Sequence, residues 1–426
     1  MTTSRPLITQ KYKKPGTSSA VFFNENKIGE KYKNQPLLSL LIEAGSNQVS
    51  MELVDLESYD TLAASSFENP MNETAWDMLS RVEAVKSSKI SSSILSRIFF
   101  QKIKEEACRL TEDMQSVFLI ALACNSPMAH LLMQESVLDL GKTPEKFSPT
   151  PSFQKTFSEL GFEEWREGLI VTVPNVSTFI GGDNLAALNA LGLTELELVI
   201  DLGASCEFFL KKGTAIHATS CESRPIFEGY FLDLLEPLKP GSIVDFEIKN
   251  GLYIWETFAN KPITGFSIYG LLQLLSHFLQ KGYINPQGKF SGDIPFKKVD
   301  NQLLLNEEAR LYLSEKDIQI LRFIRGSIRS AIIILMERSQ VDLKDVTRVT
   351  ITGQDQNYLF GDSLVEIGFL PKELLTKMNF AGQTVIEGMK SRLKGQELPT
   401  DSFDYVELSL IRGYYQCLAQ AMQLET

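Results

Sequence analysis

The chain contains two copies of one pattern, Leu38-Ser-Leu-Leu-Ile-Glu43-Ala-Gly45-Ser46-Asn47 and Leu196-Glu-Leu-Val-Ile-Asp201-Leu-Gly203-Ala204-Ser205. In each copy, branched apolar residues are followed by an acid, one apolar residue, a glycine and small residues, and a second strand-like run begins. A glycine turn between two strands lets backbone N–H groups and small hydroxyls approach a phosphate, because no Cβ intervenes. One copy alone would indicate an ordinary β-hairpin. The duplication predicts two similar lobes that grip a nucleotide.

Composition limits the classes of protein to consider. The chain has 426 residues, 43% of them hydrophobic, and a net charge of −11. Such a chain buries enough core for two or three domains, and its negative charge argues against general affinity for nucleic acid or anionic membranes. The N-terminus lacks the apolar core of a signal peptide, and no apolar run reaches membrane-spanning length. We therefore expect a soluble cytoplasmic protein.

The cysteines and histidines carry no metal-site pattern. The five cysteines are scattered and include no Cys-x-x-Cys pair. Structural zinc and iron–sulfur clusters need several converging thiolates, so we expect free thiols and no iron–sulfur cluster in this chain. The three histidines are isolated, and a lone histidine in apolar sequence is usually structural.

The order of elements predicts an α/β protein in three parts. Residues 1–35 are polar and lysine-rich and are expected to form a flexible basic arm, residues 36–195 a first lobe, and residues 196–426 a second lobe with a C-terminal segment. In the first lobe, helices are predicted over 76–85 and 91–110. The unbroken apolar run over 117–124 predicts a buried parallel strand.

Two further segments extend the predicted nucleotide site. Gly181-Gly-Asp183-Asn opens a helix rich in alanine, with Asp183 at the position of a capping residue and small side chains that allow close helix crossing. In the second lobe, Ser314 is predicted to cap a long helix over 318–338, with Asp317 in the capping-box position. The run over 346–353 predicts a strand that ends at Gly353, followed by Gln354, where the adenosine end of a nucleotide would lie.

The whole arrangement resembles the actin, heat-shock chaperone and sugar-kinase superfamily, which has a two-lobed, ribonuclease H-like ATPase fold. Within it, the chain is most similar to the ATP-dependent reductive activators of corrinoid proteins. The similar blocks, in order over about residues 37 to 410, are Phe67–Pro70, Ala75–Val82, Cys124–Leu132, Phe179–Asp183, Ala218–Cys221, Phe227–Gly229, Asn357–Leu359 and Ile367–Pro371.

The resemblance implies a role for each site residue. The phosphates would contact Gly45, Ser46 and Asn47 at one end and Gly203, Ala204 and Ser205 at the other, while Gly353 and Gln354 would meet the adenosine. Glu43 and Asp201 would hold Mg²⁺ through water. Asp183 would position the attacking water.

The chain also departs from the family pattern. Glu43 replaces an aspartate, Ser46 and Asn47 replace threonines, and Ala204 lacks a hydroxyl. Cys206 replaces a glycine, so its Cβ is expected to obstruct the phosphate or to impose strain. Asp355 and Gln356 alter the adenosine turn, and Glu222 and Arg224 replace small residues.

Three functions remain open at this point. The resemblance implies ATP-driven remodelling of a corrinoid protein of a methyltransferase system, so that its Co(II) can be reduced to Co(I). Because family members characteristically carry a ferredoxin-like domain that this sequence lacks, a separate ferredoxin-like reductant is expected. The alternatives are a non-enzymatic pseudo-ATPase that binds or regulates a corrinoid protein, and a small-molecule kinase. The family resemblance also makes a homodimer plausible.

Overall fold

The computed structural model describes residues 6–12, 18–75, 77–138, 140, 150–165, 167–353, 361–382 and 384–424. Contacts divide the chain into two units. Unit 1 comprises residues 1–193 and 384–403, and unit 2 comprises residues 194–383 and 404–426. The first boundary lies two residues before the predicted one, and residues 384–403, which the sequence analysis assigned to the second lobe, are grouped with unit 1.

The elements follow in chain order. The first part contains β1 Ile8–Tyr12, β2 Ser18–Phe23, β3 Asn26–Tyr32, β4 Leu38–Ala44, β5 Gln48–Asp55, β6 Thr61–Glu68, α1 Met78–Lys86, α2 Ser92–Leu110, β7 Val117–Cys124, α3 Ser126–Leu132, β8 Gln154–Thr156, β9 Leu169–Thr172 and α4 Gly182–Leu191. The second part contains β10 Glu197–Leu202, β11 Ser205–Lys212, β12 Ala215–Glu222, β13 Ser242–Lys249, β14 Leu252–Thr257, β15 Gly265–Phe266, α5 Ile268–Gln280, β16 Lys297–Val299, β17 Gln302–Asn306, β18 Leu311–Ser314, α6 Glu315–Ser339, β19 Arg348–Gly353, α7 Gly361–Glu366, β20 Met378–Phe380, α8 Val385–Leu393, β21 Phe403–Val406 and α9 Tyr414–Ala421.

The main sheets of the two units share the order of five of their six strands. In unit 1 the order is β6-β5-β4-β7-β9-β8, and in unit 2 it is β20-β19-β10-β11-β12-β21. In both, three successive antiparallel strands (β4 to β6, β10 to β12) are extended by parallel strands on the outer side of the first one. Because each duplicated hairpin contains that first strand, the sequence repeat is a repeat of structure.

Within the predicted flexible arm, the described residues 6–12 and 18–35 include three strands, contrary to the sequence prediction for these residues. Strands β1, β2 and β3 form an antiparallel sheet in which Val21, Phe23 and Ile28 are buried. Gly29 on β3 lies so close to the Phe118 ring that an added Cβ would be 3.0 Å from it. The many lysines of this segment concealed its few buried apolar residues from sequence reasoning.

Several local predictions are confirmed. Helix α2 begins after Ser91, whose hydroxyl accepts a hydrogen bond from the N–H of Ile94, and β7 is buried along its whole length. Helix α6 begins with the expected capping box, in which Ser314 and Asp317 bond each other's backbone N–H groups. Trp76, at the predicted start of α1, lies outside the described residues.

Helix α4 packs against α8, which explains why residues 384–403 belong to unit 1. Gly388 of α8 abuts the carbonyl of Ala186, so closely that a Cβ at position 388 would overlap the oxygen. The close helix crossing expected of the small residues in α4 is thus confirmed. Both helices also contact β7, the central parallel strand of unit 1.

Over the described ranges, no helix combines the length and apolar character that a membrane span requires.

Candidate functional site

The first glycine loop, Gly45 to Asn47, connects β4 to β5 in unit 1. Asn69 binds two of its backbone carbonyl groups. The Asn69 side-chain amide donates to the Gly45 oxygen at 2.8 Å, and the Asn69 backbone N–H donates to the Asn47 oxygen at 2.8 Å. In contrast, the N–H groups of Gly45 and Ser46 donate no hydrogen bond to any described atom. The loop is therefore anchored through its acceptors and keeps donors for an anion.

Asn125 joins this loop to the neighbouring strand end. Strands β4 and β7 run parallel with Ala44 opposite Cys124, so Asn125 follows β7 beside the loop. Its side-chain Nδ2 donates to the Ser46 hydroxyl at 3.3 Å, while its side-chain Oδ1 accepts from the N–H of Met128 at 3.0 Å and caps α3. Asn125 thus fixes the Ser46 side chain from one side.

The N-terminus of α4 packs on the same strand end. An added Cβ at Gly181 would lie 2.6 Å from the Asn125 Cα, so only glycine fits this approach. Gly181 is also the residue that caps the helix, and its N–H donates to the Asn184 side chain at 3.1 Å. The predicted capping position of Asp183 is therefore wrong: Asp183 is the second residue of α4.

The Asp183 carboxyl occupies a crowded recess although part of the residue still reaches solvent. Burial raises its pKa to about 6, and the hydrogen bond from the Asn184 N–H at 2.9 Å only partly offsets that effect. Burial and the nearby Asp183 charge raise the pKa of the Cys124 thiol. A carboxylate with a pKa close to neutral can take up and return a proton under physiological conditions.

Asn175, which follows β9, adds a polar group at the start of α4. Its side-chain oxygen accepts from the Gly182 N–H at 2.9 Å. Its Nδ2 group is buried and has no hydrogen-bond partner among the described residues. A buried donor without a partner costs free energy, and a water or a ligand would satisfy it.

The second glycine turn, Gly203 and Ala204, connects β10 to β11 in unit 2. The Gly203 N–H donates to the Ser205 oxygen at 3.1 Å, and the Ser223 hydroxyl donates to the Gly203 oxygen at 3.0 Å. The N–H of Ala204 has no acceptor within the described part of the chain. As in unit 1, the carbonyl is held and an N–H group points to no protein acceptor.

None of the neighbours that the structure describes requires a glycine at position 203. Its φ lies outside the left-handed region. The nearest atoms to an added Cβ would be the Ser205 oxygen at 3.4 Å and a Glu228 carboxylate oxygen at 4.0 Å, which are ordinary contacts. The space that a Cβ of residue 203 would occupy is therefore open, as close approach of a ligand to the backbone requires.

Two acids face each other beside this turn. Asp201 on β10 and Glu207 on β11 are direct partners in the antiparallel register, and the Ser205 hydroxyl donates to Glu207. Like charges directly opposite repel each other, which a cation would relieve. Across the described residues, no group of three or more His, Cys, Asp or Glu side chains is arranged to hold a metal ion. Two carboxylates with remaining water ligands are nevertheless a donor set that fits Mg²⁺.

Cys206 does not obstruct the turn, contrary to the sequence expectation. Its side chain is fully buried in the apolar core of unit 2, with Leu202 and Phe227 in the same cluster. Successive side chains on a strand point to opposite faces, so Cys206 points away from the face that carries Glu207. The glycine of the family pattern is replaced here without loss of access.

The third predicted strand end adjoins the second turn. Strand β19 runs parallel to β10, with Gly353 opposite Leu202, and Gly353 has a φ of 123° that favours glycine. Gln354, Asp355 and Gln356 lie outside the described residues. The predicted adenosine turn is thus placed only up to Gly353.

Each unit brings together its own predicted residues. Glu43, the loop Gly45 to Asn47, and Asp183 lie at the strand ends of unit 1, whereas Asp201, the turn Gly203 to Ser205, and Gly353 lie at those of unit 2. The predicted sharing of Mg²⁺ by Glu43 and Asp201 joins residues of different units and stays a prediction.

Sequence reasoning missed Asn125, Asn175 and Ser223 as site residues. Asn125 and Asn175 follow the ends of two parallel strands of one sheet, the edge at which α/β proteins bind ligands. A polar amide just after a buried strand was the signal available for both, directly after β7 for Asn125 and three residues after the end of β9 for Asn175. Ser223 carried no comparable signal, because its role depends on the register of β12 against β11.

Two family models match the chain and together cover it from residue 38 to its end. The model described as the C-terminal domain of RACo, the ASKHA domain, matches residues 195–426. The model described as the RACo middle region matches residues 38–196. A search of curated protein sequences returned no match.

Among solved structures, a reductive activator for corrinoid, iron-sulfur protein is similar with a TM-score of 0.79 and 21% sequence identity, over 96% of this chain and 70% of that one. The ethanolamine utilization protein EutJ from Carboxydothermus hydrogenoformans is matched with a TM-score of 0.32 and 13% identity, over 84% of this chain and 90% of that one. A non-polymerising MamK mutant bound to AMPPNP is matched with a TM-score of 0.36 and 9% identity, over 84% and 98%. The two-lobed, actin-like ASKHA fold expected from the sequence is confirmed by the ASKHA model and the first of these structures.

Proposed function

The chain belongs to the family defined by the C-terminal ASKHA domain of RACo, and from this we propose that it is an ATP-dependent activator of a corrinoid protein. One observation carries the proposal. Each unit has a glycine turn at the same place in the shared order of strands, with carbonyl groups bound by the protein and N–H groups that bind nothing described. A pair of such turns is suited to the two ends of a polyphosphate.

In this proposal, each turn is a phosphate-binding element for ATP. Gly45 and Ser46 offer their N–H groups in unit 1, and Ala204 offers its N–H group in unit 2. The open space at Gly203 supports close approach of phosphate to the backbone. Asp201 carries the magnesium water shell, with Glu207 opposite it. Bound Mg²⁺ would neutralise part of the phosphate charge.

Asp183 is the proposed general base for ATP hydrolysis. With a pKa of about 6, its carboxyl is mostly ionised at neutral pH and can accept a proton from the attacking water. The buried Nδ2 group of Asn175, next to the start of α4, supports a second hydrogen bond to that water. The water's oxygen attacks the terminal phosphorus while its proton moves to the Asp183 carboxylate. The bond between that phosphorus and the bridging oxygen breaks, so ADP leaves with the bonding electron pair and inorganic phosphate is formed.

The energy of binding and hydrolysis would be used on a partner. In a corrinoid protein of a methyltransferase system, Co(II) is hard to reduce to Co(I), and a change in cobalt ligation or burial makes the step accessible. A nucleotide-dependent change of conformation in this protein would produce that change in the bound partner. Electrons would come from a separate ferredoxin-like carrier.

The test is a reduction assay. A purified Co(II) corrinoid protein is mixed with this protein, a ferredoxin-like reductant and Mg-ATP, and the cobalt absorbance is followed. We expect the Co(I) spectrum only when both this protein and ATP are present. The Asp183→Asn variant should bind ATP but give neither phosphate release nor Co(I).

Reduction at the same rate without ATP, or with ADP in its place, would contradict the proposal. So would full activity of Asp183→Asn.

A second candidate, a pseudo-ATPase that binds a corrinoid protein without hydrolysis, is favoured by one feature of the second turn. Ala204 has no hydroxyl, and the Ser205 hydroxyl is directed to Glu207. If this candidate is correct, calorimetric titration with Mg-ATP gives no heat, the melting temperature does not shift, and the corrinoid complex forms with no spectral change. Measurable phosphate release excludes it.

The homodimer, the cytoplasmic location and the lack of affinity for nucleic acid remain predictions. Analytical ultracentrifugation of the full chain tests the first of these directly.

A further inference from the structure

Cys206 and Cys221 are direct partners across two neighbouring strands. In the antiparallel pair β11 and β12, Cys206 stands opposite Cys221, and both side chains are buried in the core of unit 2. Both cysteines are free. The other cysteines, Cys108, Cys124 and Cys417, lie on α2, β7 and α9.

The geometry permits a bond between these two sulfur atoms. Directly opposed residues of antiparallel strands have Cα atoms about 4.5 to 5.5 Å apart. Disulfides span Cα separations of about 4.4 to 6.8 Å, so the strands need not move to accommodate one. The two side chains also point to the same face of the sheet, because they occupy paired positions of the register.

We propose that Cys206 and Cys221 are a redox modification site, which a small peroxide converts reversibly to a cross-strand disulfide beside the second glycine turn. This inference does not depend on nucleotide binding or on a corrinoid partner.

The reaction has two steps. Cys221 retains 7% exposure, whereas Cys206 has none, so the Cys221 thiolate attacks one peroxide oxygen. The O–O bond breaks, hydroxide leaves, and Cys221 becomes a sulfenic acid. The Cys206 sulfur then attacks the Cys221 sulfur, which forms the S–S bond and releases water. The two thiols lose two electrons and the peroxide oxygens end as two molecules of water.

The surroundings make the first step slow. Cys206 is fully buried and Cys221 is only 7% exposed, so peroxide seldom reaches either sulfur atom. The pair therefore stays reduced until peroxide is sustained.

The disulfide would restrain the turn that precedes it. Strands β11 and β12 pair up to Ser205 and Glu222 at the end nearest the glycine turn, and the two cysteines form the next pair along the strands. The Ser223 hydroxyl, two residues past Cys221, holds the Gly203 carbonyl. A disulfide at this point would link β11, which directly follows the turn, to the end of β12, which leads to Ser223.

The test uses the intact wild-type protein. After exposure to hydrogen peroxide, free thiols are alkylated and the protein is digested with trypsin without reduction. Trypsin cuts after Lys211 and Lys212, which lie between the two cysteines, so the disulfide appears as a cross-linked pair of peptides. We expect this species, a mass loss of two hydrogen atoms in the intact protein, and recovery of both thiols with dithiothreitol.

Two variants serve as controls. Cys108→Ala removes an exposed thiol and should leave the cross-link unchanged. Cys206→Ala should abolish it, and Cys221 should then accumulate oxygen adducts. In the oxidised wild type, amide hydrogen exchange over residues 203–222 should slow at least ~10-fold.

The proposal is overturned if Cys206 and Cys221 remain alkylatable after peroxide treatment, or if they are found bonded to other cysteines. Formation of the bond with no change in exchange would overturn the link to the turn.

Discussion

Replacement of Gly203 by alanine separates the fold from the function of the second turn. The added Cβ would meet the Ser205 oxygen at 3.4 Å, and φ is not left-handed, so the folded state accepts it. A glycine-to-alanine change at such a site stabilises a protein by about 0.4–1 kcal/mol, through the unfolded chain. The same methyl group fills the space that we assign to phosphate. Loss of one hydrogen bond to a charged group costs about 1.5–3 kcal/mol, which corresponds to a ~10- to 150-fold weaker Kd for Mg-ATP.

The measurement is calorimetric titration with Mg-ATP alongside a thermal melt. Gly292 provides a matched control in the same unit, because it also has no left-handed φ and an added Cβ there meets no atom within 4 Å. We expect Gly292→Ala to leave the Kd unchanged and both variants to melt at or slightly above the wild-type temperature. If Gly203→Ala binds Mg-ATP within about twofold of the control, the phosphate does not approach this turn and the assignment fails.

Three further predictions concern buried groups. The folded pKa of Asp183 is raised to about 6 from 3.8, so its ionisation destabilises the protein, and does so fully above pH 6. Asp183→Asn should therefore raise the free energy of unfolding by up to about 3 kcal/mol at pH 8. In urea titrations this gain should vanish toward pH 4. Burial raises the pKa of Glu197, but hydrogen bonds from Arg348 and neighbouring groups outweigh this effect and hold the pKa below 4.5. Glu197→Ala should therefore lower the free energy of unfolding by about 3 kcal/mol at pH 7. In urea titrations, the greater stability of the wild type should be lost as the pH falls below 4.5 and through the lowered pKa. Gly388→Ala should lower the unfolding free energy by more than about 3 kcal/mol or prevent folding, because the methyl group overlaps the Ala186 carbonyl; an unchanged circular dichroism melt would contradict the close packing of α4 on α8.

Sequence reasoning succeeded where local patterns carry the information. The twin hairpins, the buried strand β7 and the capping box of α6 each combine apolar periodicity with a turn or cap residue, and both signals are local. Their order along the chain also led to the correct fold.

It failed where the answer depends on tertiary neighbours. The side chain of Cys206 could point to the turn or to the core, and only the register of β11 decides between them. The role of Gly181 as cap in place of Asp183 follows from the contact of α4 with the end of β7. The placement of residues 384–403 depends on Gly388, which alone along α8 allows the approach to Ala186.

The interrupted path of unit 1 has a consequence for biosynthesis. Its last helix, α8, is encoded after all of residues 194–383, and the Leu7 N–H donates to the Leu393 oxygen at 3.0 Å, so the two distant ends of this unit meet. During translation, the face of α4 that packs on α8 therefore stays uncovered until nearly the whole chain has been synthesised. No single cut in the gene can therefore yield a complete unit 1, and a separately expressed version would need residues 384–403 fused to its N-terminal segment.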